Sequence, residues 1–138
     1  MYLNCHTALS FKWGTLTPAE LFEQARQCNV NKLALTEINN TASYIEMLRL
    51  SEQYKPVEDG LDSRGRKGHR LDIVPGTEIR QANELCYILL AKNNRGFEEI
   101  NRFLSHHNRE KRAFPRRAPE FSDVFVVYPY PLFDDATL

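Results

Sequence analysis

Short apolar runs alternate along the chain with stretches whose apolar residues recur every three or four positions. The stretches predict amphipathic helices near residues 18–28, 41–54 and 93–107, and the runs predict strands at residues 2–5, 32–36, 71–74, 85–91 and 124–128. This alternation is typical of an α/β fold, here with about five mainly parallel strands and three helices.

Capping residues set the predicted helix boundaries. Thr17, Pro18 and Glu20 form a capping-box pattern before the first helix, and Asn29 is a suitable left-handed residue at its end. The candidate caps of the other two helices are Asn40 or Thr41 and Asn93 or Asn94.

Loops rich in charge, glycine or proline separate these elements. Residues 55–70 form a loop long enough to be a binding flap or a tolerated insertion, and residues 108–122 form a second basic loop. The Pro-Gly-Thr-Glu sequence at 75–78 is expected to interrupt the third strand, and residues 129–131 to end the fifth. The length fits a single domain, residues 1–138.

Charge is balanced overall but not along the chain. Eighteen basic and eighteen acidic residues give no net charge, which removes the simplest argument for a nucleic-acid-binding protein. Half of the basic residues nevertheless lie in the two loops, where they either contact phosphates or are solvated. These residues are Arg64, Arg66, Lys67, Arg70, Arg109, Lys111, Arg112, Arg116 and Arg117.

The cysteine content and the hydropathy of the sequence indicate the cellular compartment of the protein. Three cysteines without a CxxC pair fit reduced thiols better than a disulfide framework or a zinc knuckle. The N-terminus lacks a signal-peptide pattern, and no apolar stretch approaches the length of a membrane span. The sequence therefore predicts a soluble cytoplasmic protein without membrane contact.

Polar side chains follow three of the predicted strands. Asn4 and His6 come at the end of the first strand, Glu37 and Asn39 at the end of the second, and Glu78 after the third. Each pair is spaced i, i+2, so on an extended backbone its members point to one side. Because the carboxyl ends of parallel strands meet at one rim, we expect these side chains to lie near each other.

The chemistry of these residues leaves two interpretations open. His6, Glu37 and Glu78 offer an imidazole and two carboxylates, which bind divalent ions such as Zn²⁺, Mn²⁺ or Mg²⁺ and let them activate water. The amide oxygens of Asn4 and Asn39 are poor ligands for zinc-like ions. The alternative is that the histidine and the two amides cap strands and satisfy buried backbone groups.

The same segments carry the motifs of a known family. The sequence resembles the PHP (polymerase and histidinol phosphatase) domain and, within it, the amino-terminal domain of bacterial DNA polymerase III alpha subunits. The similarity covers roughly residues 1–107, with the motifs in the family's order. They lie at residues 3–11 and 14–21, 33–40, 75–80 and 89–97.

The resemblance implies part of a distorted (β/α)7 barrel whose strand ends hold a metal cluster for phosphoester hydrolysis. Polymerase members either use this site for metal-dependent 3′–5′ proofreading or keep the domain as a platform for a separate exonuclease subunit. His6 and Glu78 match the family's ligand positions. Asn4 and Asn39 stand where the family has histidines, and Glu37 stands where it has an aspartate.

From the resemblance we expect a degenerate metal site without a tightly bound cofactor, in a segment that is inactive alone and has a structural or interaction role. The DNA polymerase site would lie outside this chain. The partners would be the rest of the alpha subunit, a proofreading exonuclease subunit, and DNA through the whole polymerase. The alternatives are a metal-dependent phosphoesterase or exonuclease that uses His6, Glu37 and Glu78, and a nucleic-acid contact module that uses the basic loops.

The chain is short for a barrel. A complete (β/α)8 barrel needs about 250 residues. We therefore expect an open sheet that buries its exposed edges against a second copy of the chain, as a homo-oligomer, or against a continuation.

Overall fold

The computed structural model describes residues 1–130, so the last residue of the predicted break at 129–131 lies outside the described part. The predicted five strands and three helices are confirmed in this range, in the predicted order. The elements are β1 (Tyr2–Cys5), α1 (Pro18–Gln27), β2 (Lys32–Ile38), α2 (Tyr44–Tyr54), β3 (Asp72–Gln81), β4 (Glu84–Ala91), α3 (Asn94–Glu110) and β5 (Val124–Val127).

The five strands form one sheet in the order β1-β2-β3-β4-β5. β1, β2 and β3 are parallel, whereas β4 pairs antiparallel with both β3 and β5. Four of the five strands therefore run in the same direction, and the sheet is open, with β1 and β5 at its edges. The expectation of an open, mainly parallel sheet is confirmed. Within residues 1–130, no helix is long and apolar enough to cross a membrane.

The expected interruption of the third strand at residues 75–78 is wrong, because β3 runs without a break to Gln81. Pro75 pairs with Leu35 of β2, and the pairing with β4 begins only at the next residue, Gly76. The proline therefore lies where β3 has one neighbour, which is where a residue without an N–H is tolerated. As a result Glu78 lies within the strand, opposite Ile38 and Ile88, and not in a loop beyond it.

Two of the three predicted helix starts are confirmed. Thr17 and Glu20 form the capping box of α1, and Asn29 after this helix adopts a left-handed φ of 56°. The side chain of Asn93 caps α3 by accepting a hydrogen bond from the backbone N–H of Gly96. α3 continues to Glu110, three residues beyond the predicted end.

The predicted caps of α2 are wrong, since this helix begins after Ser43. The amide oxygen of Asn40 accepts from the N–H of Ala42, and the hydroxyl of Thr41 donates to Asn101. Both side chains thus stabilise the turn before the helix. The hydroxyl of Ser43 caps nothing and donates instead to Glu37.

All three helices cover the same face of the sheet. α1 and α2 pack through Phe22 and Met47 on a cluster that includes Leu35 of β2, and α3 packs through Ile100 on Leu89 of β4. Odd-numbered residues of β2 and β3 point toward these helices, because side chains alternate along a strand. The other side of the sheet, called the open face below, carries the even-numbered residues of β2 and β3. Through the strand pairing it also carries Ile88 and Leu90 of β4 and their partners Val127 and Phe125 of β5.

The first basic loop is folded against α2. The buried Asp62 accepts hydrogen bonds from the backbone N–H of Arg64 and from the guanidinium of Arg66. This guanidinium lies 4.2 Å from the ring centre of Tyr54, the last residue of α2. Internal contacts therefore hold much of the segment between residues 55 and 70.

Candidate functional site

The carboxylate of Glu78 is the centre of a polar cluster on the open face. This group, called the strand-end cluster below, comprises Asn4, His6, Glu78 and Arg80. Its side chain is completely buried. Oε2 accepts a hydrogen bond of 2.9 Å from the amide of Asn4 and lies 2.9 Å from Nε2 of His6, while Oε1 accepts from Nε of Arg80. Burial alone would raise the pKa of Glu78, but the contacts with His6, Asn4 and Arg80 outweigh it and lower the pKa to about 2. Glu78 is therefore a carboxylate at all physiological pH values.

His6 reaches this cluster from the segment that follows β1. Its side chain is 15% exposed. Although Nε2 lies close to Glu78, the contact lacks the alignment of a hydrogen bond, and Nε2 is a buried nitrogen without a hydrogen-bond partner. The i, i+2 spacing correctly placed Asn4 and His6 on the same side of the chain.

The side chain of Asn4 joins three strands. Its Nδ2 group donates to Glu78 of β3, and its Oδ1 atom accepts a hydrogen bond of 2.6 Å from the hydroxyl of Thr36 in β2. The amide oxygen, which is the only atom that Asn4 can offer to a metal ion, is thus already engaged.

Asn39 clamps the end of β2 to β3. Its Nδ2 group donates to the backbone carbonyl of Arg80 at 3.0 Å, and its Oδ1 atom accepts from the backbone N–H of Arg80 at 2.9 Å. The backbone N–H of Asn39 donates to the carbonyl of Glu78. A left-handed φ of 55° turns this residue out of the extended conformation. Asn39 therefore binds the strand backbone and does not contact the carboxylate of Glu78.

Arg80 supplies the positive charge of the cluster. Its side chain is 13% exposed, and besides Glu78 its guanidinium donates to the carbonyl of Asn83 at 2.6 Å. The Cζ atom lies 4.0 Å from the ring centre of Trp13, in the segment between β1 and α1. Sequence reasoning missed both residues. Two-residue spacing from Glu78 could have identified Arg80, whereas nothing in the sequence pointed to Trp13.

Glu37 lies on the opposite face of β2, below the helices. Its side chain is buried, and its carboxylate accepts hydrogen bonds from the backbone N–H and hydroxyl of Thr7 and from the hydroxyls of Ser10 and Ser43. Every one of these donors is neutral. The structure does not bring Glu37 to His6 and Glu78, so the expected three-ligand set does not form.

The basic residues of the two loops are distributed between internal and exposed positions. Arg66 is engaged with Asp62 and Tyr54, as described above. Ion pairs link Arg70 to Asp72, Arg112 to Glu110, Arg109 to Glu110 and Arg116 to Glu84. Arg64, Lys67, Lys111 and Arg117 are exposed.

The comparison with family models agrees with the motifs, since a model for the PHP domain matches residues 3–128. Among solved structures, a candidate metal-dependent phosphoesterase from Bifidobacterium adolescentis matches with 27% sequence identity and a TM-score of 0.49. The match covers 78% of this chain but 33% of the other, so the chain spans about a third of that protein's length. No curated protein matches the sequence significantly.

Proposed function

Because the chain belongs to the PHP domain family, we propose that it is the amino-terminal segment of a bacterial replicative DNA polymerase alpha subunit. In this segment the strand-end cluster stabilises the fold and does not hydrolyse phosphoesters. One observation carries this proposal. Asn4 and Arg80 both donate hydrogen bonds to the carboxylate of Glu78, and the positive charge beside it belongs to Arg80.

The residues of the cluster do not fit the metal centre that the family implies. A hydrolytic centre needs several imidazole or carboxylate ligands with free lone pairs. Here only His6 and Glu78 are of that kind, and the amides of Asn4 and Asn39 are bonded to protein groups. Nor, among residues 1–130, do three His, Cys, Asp or Glu side chains gather to hold a metal ion. The residues of the cluster therefore do not supply the ligand set of a hydrolytic metal centre.

The polymerase assignment rests on the ordered motifs, which resemble the polymerase branch of the family. All three helices lie on one face of the sheet, and within residues 1–130 no helix packs on the open face. This arrangement supports the first part of a distorted barrel, which the rest of the alpha subunit would complete. On the open face of β5, Phe125 and Val127 are 59% and 40% exposed, and we infer that a surface of the rest of the alpha subunit covers them. A proofreading exonuclease subunit is the proposed docking partner of the completed domain.

An activity assay tests the proposed loss of hydrolysis. The purified chain and its His6→Ala variant are incubated with Mn²⁺ or Zn²⁺, together with a chromogenic phosphate ester or single-stranded DNA carrying a labelled 3′ end. We expect the two proteins to give the same background rate. Hydrolysis by the unmodified chain that disappears in His6→Ala would contradict the proposal.

A metal-dependent phosphoesterase is the second candidate function, and the buried Nε2 of His6 favours it. A nitrogen without a hydrogen-bond partner beside a carboxylate is a group that a metal ion would satisfy. This candidate predicts Mn²⁺-stimulated hydrolysis that is lost in both His6→Ala and Glu78→Gln. The same assay therefore separates the two functions.

A further inference from the structure

We propose that the guanidinium of Arg80 is the resident cation of the strand-end cluster and masks a latent divalent-cation site formed by His6 and Glu78. This inference rests on the proposed function and deepens it. The guanidinium lies beside Glu78 where a divalent ion would bind, and His6 and Glu78 are the two groups that would hold such an ion.

Three contacts hold the guanidinium of Arg80 in the position where it would compete with a metal ion for Glu78. Glu78 and the carbonyl of Asn83 accept its hydrogen bonds, and the indole of Trp13 covers its face at 4.0 Å. A planar guanidinium suits this combination of a carboxylate and an aromatic ring, which a hydrated ammonium group does not match. With the side chain 13% exposed, little water screens its charge from an approaching ion.

The two remaining donors have the spacing of neighbouring ligands. His6 Nε2 and Glu78 Oε2 lie 2.9 Å apart. Two atoms that bind one octahedral ion at about 2.1 Å from it lie about 3.0 Å from each other. Nε2 faces Oε2 without an aligned hydrogen bond, so a divalent ion bound between the two atoms would replace only their present contact with each other.

Removing the positive charge of Arg80 would leave Glu78 as a buried carboxylate without a permanent cation. Such a group is strongly destabilising unless a new cation arrives. If Arg80 were only a structural partner, its removal would lower the stability of the fold and would not create affinity for a divalent ion. If it stands in for the metal, its removal creates affinity for a divalent ion, and this difference can be measured.

The test compares two substitutions of Arg80 with the unmodified chain. Arg80→Met removes the charge but keeps a long side chain that packs on Trp13, and Arg80→Lys is the control that keeps the charge. Each protein is titrated with Co²⁺, following the visible absorption of the bound ion and the quenching of Trp13, the only tryptophan in the sequence. The melting temperature is measured with and without Co²⁺.

We expect Arg80→Met to bind one Co²⁺ at least about tenfold more tightly than the unmodified chain. Tenfold is about the lower end of the range by which groups next to a metal ligand change the affinity for the ion. Its melting temperature rises with Co²⁺, and adding His6→Ala abolishes both effects. Arg80→Lys and the unmodified chain show neither. Should Arg80→Met not fold, Arg80→Gln replaces it, because its amide still donates one hydrogen bond to Glu78.

The failures of the two proposals look different. A folded Arg80→Met or Arg80→Gln protein that binds Co²⁺ no better than the unmodified chain overturns the masked site and leaves the non-hydrolytic function standing. Stoichiometric Co²⁺ binding by the unmodified chain, lost in His6→Ala, overturns the non-hydrolytic function itself. Arg80→Lys binding as tightly as Arg80→Met would show that the charge of Arg80 does not control the site.

Discussion

Glu78→Gln is the most informative single substitution, because it keeps the shape of the side chain and removes its charge. The amide retains one acceptor oxygen, but its NH₂ group must face a donor of either Asn4 or Arg80. One of these two donors then loses its partner. Arg80 also loses the carboxylate that neutralises it in a largely buried position.

The expected loss follows from the pKa of Glu78. Lowering this pKa from 4.5 to about 2 corresponds to about 3 kcal/mol of stability at neutral pH. This value agrees with substitutions in other proteins, in which removing one partner of a buried ion pair lowers the free energy of unfolding by about 3–5 kcal/mol. Because the folded-state pKa is lowered, the contribution is complete above the unfolded-chain pKa of about 4.5. It is lost as the pH falls toward 2.

Urea unfolding of both proteins between pH 7 and pH 3 measures this contribution. We expect a gap of about 3 kcal/mol at pH 7 that narrows as the pH falls from 5 to 3. The control is Glu46→Gln, which removes an exposed carboxylate paired with Arg49 and is expected to change stability little. If Glu78→Gln unfolds at the same urea concentration as Glu46→Gln, or if the gap does not depend on pH, the ion-pair reasoning is refuted.

Three further predictions concern the parts of the fold that support the site. Ser43→Ala removes a hydroxyl donor from the buried Glu37 and should cost about 1–3 kcal/mol in urea unfolding; a loss no larger than in the exposed control Ser105→Ala would contradict this role. Gly96→Ala places a Cβ 1.9 Å from the carbonyl oxygen of Asp123, so we expect a loss of about 1–3 kcal/mol, and an unchanged melting temperature would show that α3 shifts freely. Arg66→Met should speed proteolysis within residues 55–70 more than Arg64→Met does, and equal cleavage rates would mean that the contacts with Asp62 and Tyr54 do not hold the loop.

Local signals predicted the elements well, because they act over a few residues. The capping box of Thr17 and the cap of Asn93 depend only on neighbouring backbone groups, and both are confirmed. The expected break at residues 75–78 failed for the opposite reason. Pairing with β2 and β4 fixes this segment as a strand in spite of its turn-like Pro-Gly sequence, and such pairing joins residues far apart in the chain.

The residues of the candidate site were predicted in part. The alternation of side chains along a strand explains which of them were placed correctly and which were not. It correctly brought Asn4 and His6 together beside Glu78. It failed for Asn39, because the left-handed φ of this residue ends the extended conformation on which the spacing argument depends. Glu37 lies within β2, so alternation places it on the same side as Leu35, which the helices cover.

We propose that protein groups occupy the position beside Glu78 and His6 that a metal ion would take. A crystal structure of the unmodified chain grown in Mn²⁺, with an anomalous difference map, tests this proposal most directly. We predict no anomalous peak between His6 and Glu78, and an Arg80 guanidinium bonded to the carboxylate. An anomalous peak within bonding distance of both side chains, with Arg80 turned away, would contradict the claim.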